Sequence, residues 1–543
     1  MSDAEIIGFA RNDGLEPESL MYMTRRERLI SEEIYLREWE DEGTLRSYVY
    51  NDEEWNPLPG PIPLPIAGNT LQMKNFAKFC DAMHKRYGDV FEFYDTNKRI
   101  IMLNRADLAE KVFSQSVKSN YFIRAASESQ GWEELGFATV GLFGSKDRNV
   151  WSLNRKFLAR SLTSTKYTKE TVHVVQTLFS EAEEYWKELG DSASLELTGW
   201  ISCIIADTLV RIVTGQQTYA LSTHLNSLLP PHLKKPLPQS SIQSYSKFLS
   251  HIRSIGPIIQ YFYFVPPFFR HYVPGFRHIA ERMKRRVGWL TEEMKNLVSE
   301  RKKEIESISE KEELKIDLLS LMLTINTEKD TNKIKSNEIE RPLTEEEMAQ
   351  LLIEVFSAGI DTTTHALCFT IYYICKYPAV KARLVSEIDA TLSSKSHNLS
   401  YDSIVNLFPY TSAVIKEAAR VLTVAPIVIH VASEDDEIAG YKWRAGTPIG
   451  VNYEAIHKHT AYWKDPEAFR PERFLDESAD EIKPRTFLPF GGTVRVCPGK
   501  IVAEKVIKTF LILLFWKFEV ELCEPDKDIK YTYAMTKQCT ELK

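Results

Sequence analysis

The feature that most constrains this chain lies near its C-terminus: Phe487-Leu488-Pro489-Phe490-Gly491-Gly492-Thr493-Val494-Arg495-Val496-Cys497-Pro498-Gly499. A glycine-rich turn delivers one cysteine to the start of an apolar helix expected to run to about Trp516. A cysteine there meets free backbone N–H groups and the partial positive charge of the helix end. Both favour thiolate over the free thiol, whose pKa is ~8.5, and Arg495 adds positive charge two residues earlier. A thiolate ligates a metal or attacks a substrate. Taken alone, the residue also reads as a buried structural cysteine.

The rest of the chain must supply a large body around that turn. It has 543 residues, 43% hydrophobic and 26% charged, which excludes a largely disordered chain, a collagen or a multi-span membrane protein. A net charge of −7 excludes a strongly basic nucleic-acid binder, and no nucleic-acid partner is expected. The charge is uneven: residues 1–54 carry −9, leaving +2 for residues 55–543. This marks an acidic N-terminal extension, 1–54, ahead of a single large domain, 55–543. Seven scattered cysteines without a CxxC pair argue against a disulfide framework or zinc ribbon and for a reducing compartment. No stretch reaches the ~20 apolar residues of a spanning helix, and the acidic N-terminus does not fit an import presequence.

Within the extension, Arg25 to Trp39 reads as a charged helix or partly ordered tail. Trp55-Asn56-Pro57-Leu58-Pro59-Gly60-Pro61-Ile62-Pro63-Leu64-Pro65 is a stiff lead-in whose apolar residues pack on the body. Helical patterns follow at Phe76–Arg86, Trp151–Leu162, Thr171–Leu189, Ala280–Lys303 and Ala379–Leu392, with short strands at Val90–Tyr94 and Ile100–Leu103. Residues 323–343 read as a surface loop. Thr344, with Glu347 three residues on, opens a long apolar helix that Pro378 stops. Ile258 to Phe269 reads as either buried core or an interfacial patch, with Arg270, His271 and Arg277 suited to a headgroup boundary.

Three further patterns carry chemistry. In the long helix, Phe356-Ser357-Ala358-Gly359-Ile360-Asp361-Thr362-Thr363-Thr364 places small residues, an acid and three hydroxyls in an apolar setting. That breaks local helix preference, as a functional site or a kink at a packing contact would. Glu417 and Arg420 share one helix face. A solvated pair is the ordinary reading of that spacing, which Glu467 and Arg470 repeat. Trp463 to Phe474 reads as an irregular meander rich in Arg and aromatic residues.

Taken in order, AGIDTT, ExxR, PERF and the cysteine turn, with Trp151-Ser152-Leu153-Asn154-Arg155 as WxxxR, resemble one family: the eukaryotic-type cytochromes P-450, haem-thiolate monooxygenases. The resemblance covers residues 55–543. It implies a mainly α fold with small β-sheets, with haem b (iron protoporphyrin IX) between the long distal helix and the Cys-loop helix. It makes Cys497 the axial ligand to haem iron. Thr362 becomes the distal hydroxyl and Asp361 its neighbouring acid, relaying protons. Ala358 and Gly359 leave room for oxygen, and Phe490 belongs to the haem-binding turn. Trp151, Arg155 and Arg495 are donors to the haem propionates. Glu417, Arg420 and Arg473 lock the meander behind the turn. Two positions depart from the family pattern. Thr493 replaces the signature turn's first glycine, so the turn is distorted or another residue absorbs the strain. His430 stands where the family often has a propionate-binding arginine, with a charge that depends on pH.

The function so implied is insertion of one oxygen atom of dioxygen into a lipophilic small molecule. Electrons come from a separate donor protein of reductase or ferredoxin type, received on a basic surface around Arg495, Lys500, Lys505 and Lys508. Alternatives are an isomerase or dehydratase of the same fold acting on peroxides, or a non-catalytic haem binder. The expected location is the cytoplasmic side, peripheral on the endoplasmic reticulum or another membrane through residues 258–269.

Overall fold

A computed structural model describes residues 58–543 apart from 65–67, 97, 139, 191–193, 238–244, 309–313, 326, 330–340, 393–398 and 476–481. The acidic extension, the helix expected in it, and most of the loop expected at 323–343 lie outside the described residues.

The chain forms two compact units. The first joins the residues up to Ala109 with Val431–Asn452. Strand Val90–Asp95 pairs antiparallel with Lys98–Leu103, which pairs in parallel with Pro448–Asn452. Gly450 is required by that pairing, because a Cβ there would meet the Met102 sulfur. Helix Phe76–Tyr87 covers the hairpin, with the Phe79 and Phe93 rings edge to face at 5.3 Å. The proline lead-in is wrapped on as expected. Leu58 is fully buried, the Pro59 carbonyl accepts from Glu92 N–H at 2.9 Å, and Gly60 lies so close to Glu92 that no side chain fits.

The second unit, Glu110–His430 with Tyr453–Lys543, is mainly helical and carries the candidate site. Its centre is the long helix Glu345–Lys376. The Thr344 hydroxyl accepts from Glu347 N–H at 3.1 Å and the Glu347 carboxylate accepts from Thr344 N–H at 2.8 Å, the expected capping box. The helix runs unbroken through the AGIDTT segment and stops before Pro378, which opens helix Pro378–Thr391 at its first position. Helix Leu197–Thr214 packs against it, and helix Lys500–Lys517 packs against Thr165–Leu189. Gly359 belongs to the first contact. A Cβ there would meet Leu209 Cδ1 at 2.9 Å, so this glycine also serves close helix packing. Leu197–Thr214 is, among the described residues, the one helix long and apolar enough to cross a membrane, and 78% of it is buried.

The aromatic run is split by Pro266-Pro267 into helices Ile255–Phe264 and Pro267–Tyr272, partly buried and partly exposed. Ile258 and Phe262 are buried, whereas Phe264, Phe268, Phe269 and Tyr272 are exposed. Arg270 is not a headgroup ligand. It is buried, pairing with Glu134 at 2.7 Å, and His271 reaches the same carboxylate at 3.0 Å.

Candidate haem-binding site

The cysteine turn is built by its two retained glycines. Gly491 takes the left-handed conformation at φ 88°, and a Cβ on Gly492 would meet Leu488 at 2.7 Å. Thr493 does not have positive φ, so its β-branch meets no backbone penalty. Its hydroxyl accepts from Arg495 N–H at 3.0 Å, and its carbonyl accepts from Val496 N–H at 3.0 Å. Of the two outcomes open from the sequence, a distorted turn or strain taken up by another residue, the second fits: the left-handed position is Gly491. Thr493→Gly should leave thiolate ligation unchanged. It should cost about 0.5–1.5 kcal/mol for the lost hydrogen bond, read as a lower unfolding midpoint.

Cys497 lies in the turn, and the helix begins three residues later at Lys500. Its N–H donates to the Phe490 carbonyl at 2.9 Å, and its side chain is exposed. Burial of the surroundings raises the thiol above its ordinary value; the N–H groups of Gly499 and Lys500 and the Arg155 and Arg124 guanidinia offset only part of that. The helix-end effect expected from sequence is thus real but outweighed by desolvation.

Around the thiol stand three guanidinium groups. Arg155, on helix Arg148–Leu162, donates to Val496 O at 2.8 Å. Arg495 donates to Phe143 O at 3.1 Å and Ser145 O at 2.6 Å, and its guanidinium carbon lies 4.3 Å above the Phe122 ring and 5.5 Å above Trp151. Arg124, on the two-residue strand Ile123–Arg124, donates to Arg495 O at 3.4 Å; the sequence reading missed it. Among the described residues none of the three makes a direct ion pair with a carboxylate, although the buried Glu354 carboxyl acts on Arg495. Arg124 Nε, Arg495 Nε and His430 Nε2 are buried without any hydrogen-bond partner. Burial and mutual repulsion lower the proton affinity of Arg495, and burial lowers that of Arg124. Like charges gathered with orphaned donors fit an anionic group such as the two carboxylates of haem.

His430 behaves differently from expectation. It is fully buried, and burial followed by Arg124 pushes it down to about 3, so its charge does not change with physiological pH. Its Nδ1–H donates to Tyr121 O at 2.7 Å, which leaves Nε2 as a bare lone pair.

On the long helix, Ala358 is exposed and the Thr362 hydroxyl donates to its carbonyl at 2.6 Å. That leaves the lone pairs of Thr362 free to accept. Burial raises the Asp361 carboxyl to about 6, with Arg253 pulling it back. Such a carboxyl can exchange protons not far below neutrality; Glu354, two turns earlier on the same helix, is raised further by burial, to about 7.

Behind the turn, Glu417 and Arg420 are completely buried, not solvated. Arg420 grips Glu417 through two hydrogen bonds of 2.8 Å and donates to His457 O, Pro466 O and Ala468 O. Arg473 Nε reaches the same carboxylate at 3.4 Å, and Arg473 also donates to Lys464 O and Asp465 O. His457, also missed, relays this lock to the turn. Its Nε2 accepts from Leu488 N–H at 2.7 Å and its Nδ1–H donates to Thr423 at 2.8 Å. The proposed donor-docking surface is smaller than expected, because Arg495 and Lys508 are buried and only Lys500 and Lys505 stay accessible.

The family model for Cytochrome P450 matches residues 58–540, and the chain belongs to that family. Its relatives include Cytochrome P450 3A28 of Bos taurus, 28% identical over 492 residues covering 88% of each chain. Cytochrome P450 3A9 of Rattus norvegicus is 26% identical over 498 residues, covering 89% of this chain and 88% of the relative. Cytochrome P450 3A5 of Homo sapiens is 27% identical over 479 residues, covering 86% of each. The protein is a haem b monooxygenase that uses dioxygen, a lipophilic substrate and a redox partner; the isomerase and non-catalytic readings are not favoured.

Proposed function

We propose that Cys497 is the axial ligand, that Arg124, Arg155, Arg495 and Trp151 hold the haem carboxylates, with neutral His430 offering them no donor, and that Asp361 and Thr362 deliver protons on the distal side. The observation that carries this reading is the accessible Cys497 thiol beside the Arg155 and Arg124 guanidinia, with the Nε donors of Arg124 and Arg495 buried and unpartnered. Haem held there would supply the iron chemistry for dioxygen, with reducing electrons from the redox partner and electron density lent by the Cys497 thiolate. Ala358 presents only a methyl group to the open face, so a small ligand is not crowded. Thr362, its own proton committed to Ala358 O, accepts a hydrogen bond from water and fixes that water's orientation. Asp361 takes up protons from the solvent side and passes them along such water. The test is the reduced carbon monoxide difference spectrum of the full chain beside Cys497→Ala.

The redox partner is proposed to be a separate reductase or ferredoxin-type protein approaching Lys500 and Lys505. We also infer peripheral attachment to the cytoplasmic face of a membrane. Phe268 (62% exposed), Tyr272 (74%), Phe269 and Phe276 form one ring cluster, with Phe269 and Phe276 at 5.4 Å and Arg277 beside them. Rings of this kind partition into the headgroup boundary. In sedimentation with phosphatidylcholine–phosphatidylserine vesicles, the double variant Phe268→Ser, Tyr272→Ser should bind about tenfold more weakly, as loss of ~1.4 kcal/mol requires. Unchanged binding would remove this patch as the contact.

A further inference from the structure

Cys368 and Cys539 meet behind the long helix, and the oxygenase chemistry uses neither. Cys368 is on Glu345–Lys376, six residues beyond Thr362. Cys539 ends the last strand, Thr536–Cys539, of the antiparallel C-terminal hairpin. Both are buried free thiols, near enough for each to alter the other's proton affinity. Thr198 Oγ1 lies 3.8 Å from Cys539 Sγ.

The surroundings hold the strand in place. Cys539 N–H donates to His365 Nδ1 at 3.1 Å, one turn before Cys368. Lys537 N–H donates to Val424 O at 2.7 Å, and Leu197 N–H donates to Leu542 O at 2.8 Å. The strand that carries Cys539 is thus pinned by hydrogen bonds beside the helix turn that leads to Cys368, and side-chain movement there would have to bring the sulfurs to the ~2.05 Å of a disulfide.

We propose that Cys368 and Cys539 form a redox-switchable pair whose oxidation ties the helix carrying Asp361 and Thr362 to the C-terminal hairpin. The oxidant is a peroxide. The Cys539 sulfur attacks one oxygen of hydrogen peroxide, an S–O bond forms, the O–O bond breaks, and water leaves with the thiol proton. The Cys368 sulfur then attacks the sulfenic sulfur, the S–S bond forms, the S–O bond breaks, and a second water leaves. Two thiols and one peroxide thus give one disulfide and two waters. Cys539 is the attacking thiol because the neighbouring Cys368 lowers its pKa, while Cys539 and burial raise that of Cys368.

The test uses the full haem-loaded chain, treated with a few equivalents of hydrogen peroxide. The chain is then denatured in N-ethylmaleimide, digested and weighed. The expected result is a linked peptide pair containing Cys368 and Cys539, lighter by two hydrogens than the free peptides. Dithiothreitol should reverse it, and it should be absent from Cys368→Ser. The oxidised parent should also unfold at a higher temperature than the reduced one, a difference missing in that variant. Full alkylation of both cysteines, or a link from Cys539 to the exposed Cys523 instead, would overturn the proposal; neither reading depends on a variant that folds.

Discussion

Glu417→Ala is expected to destabilise the fold by about 3–5 kcal/mol, the cost of leaving buried charge without its partner. The carboxylate is fully buried and serves Arg420, Arg473 and the Arg470 N–H at 2.8 Å. Its removal strands two guanidinium groups whose remaining partners are carbonyl oxygens of the meander. Domains hold only about 5–15 kcal/mol in total, so the variant should either fail to accumulate or unfold well below the parent. The effect reaches the cysteine turn through His457, so haem loss on dilution should accelerate in whatever protein survives. Denaturant unfolding of parent and variant measures the first effect, and a change under 1 kcal/mol would show that the network is not a keystone.

Asp361→Asn should lower product formation by about 10²–10⁴-fold, the range for losing a positioned acid–base group, while leaving haem binding intact. The amide keeps the shape and cannot exchange the proton. The pH profile separates this from a structural effect. Burial raises the native carboxyl to about 6, so it is protonated below that value and ionised above it. Proton delivery in the parent should therefore quicken as pH falls through about 6, and the Asn variant should be flat there. A retained limb near pH 6 in Asp361→Asn would assign the titration to another group. His430 is no candidate, since burial holds it neutral down to about 3.

Much of the architecture was legible because it rests on local chemistry. The capping box at Thr344 and Glu347, the proline stop at Pro378 and the glycine-rich turn each follow from residues within a few positions of one another. The order of the patterns then carried the site. What remained hidden depends on tertiary placement. Spacing of three residues puts Glu417 beside Arg420 but says nothing about whether water reaches them. Arg124 gave no signal, since it is one arginine in a two-residue strand, 371 positions from the Arg495 carbonyl it touches. Arg270 and Lys508 look like surface cations by composition and are turned inward. Gly359 looks like part of an open site and also serves a helix contact. At Thr493 the pattern left open whether the turn distorts or another residue takes the strain, and the left-handed residue is two positions earlier.

The most direct test is the difference spectrum of the reduced chain on adding carbon monoxide, recorded for the parent and for Cys497→Ala at equal haem. A strongly red-shifted Soret band in the parent and its loss in the variant are the predicted result. The same band persisting in Cys497→Ala, or a parent band at the position of imidazole or neutral thiol ligation, would contradict the assignment of Cys497 as the thiolate ligand.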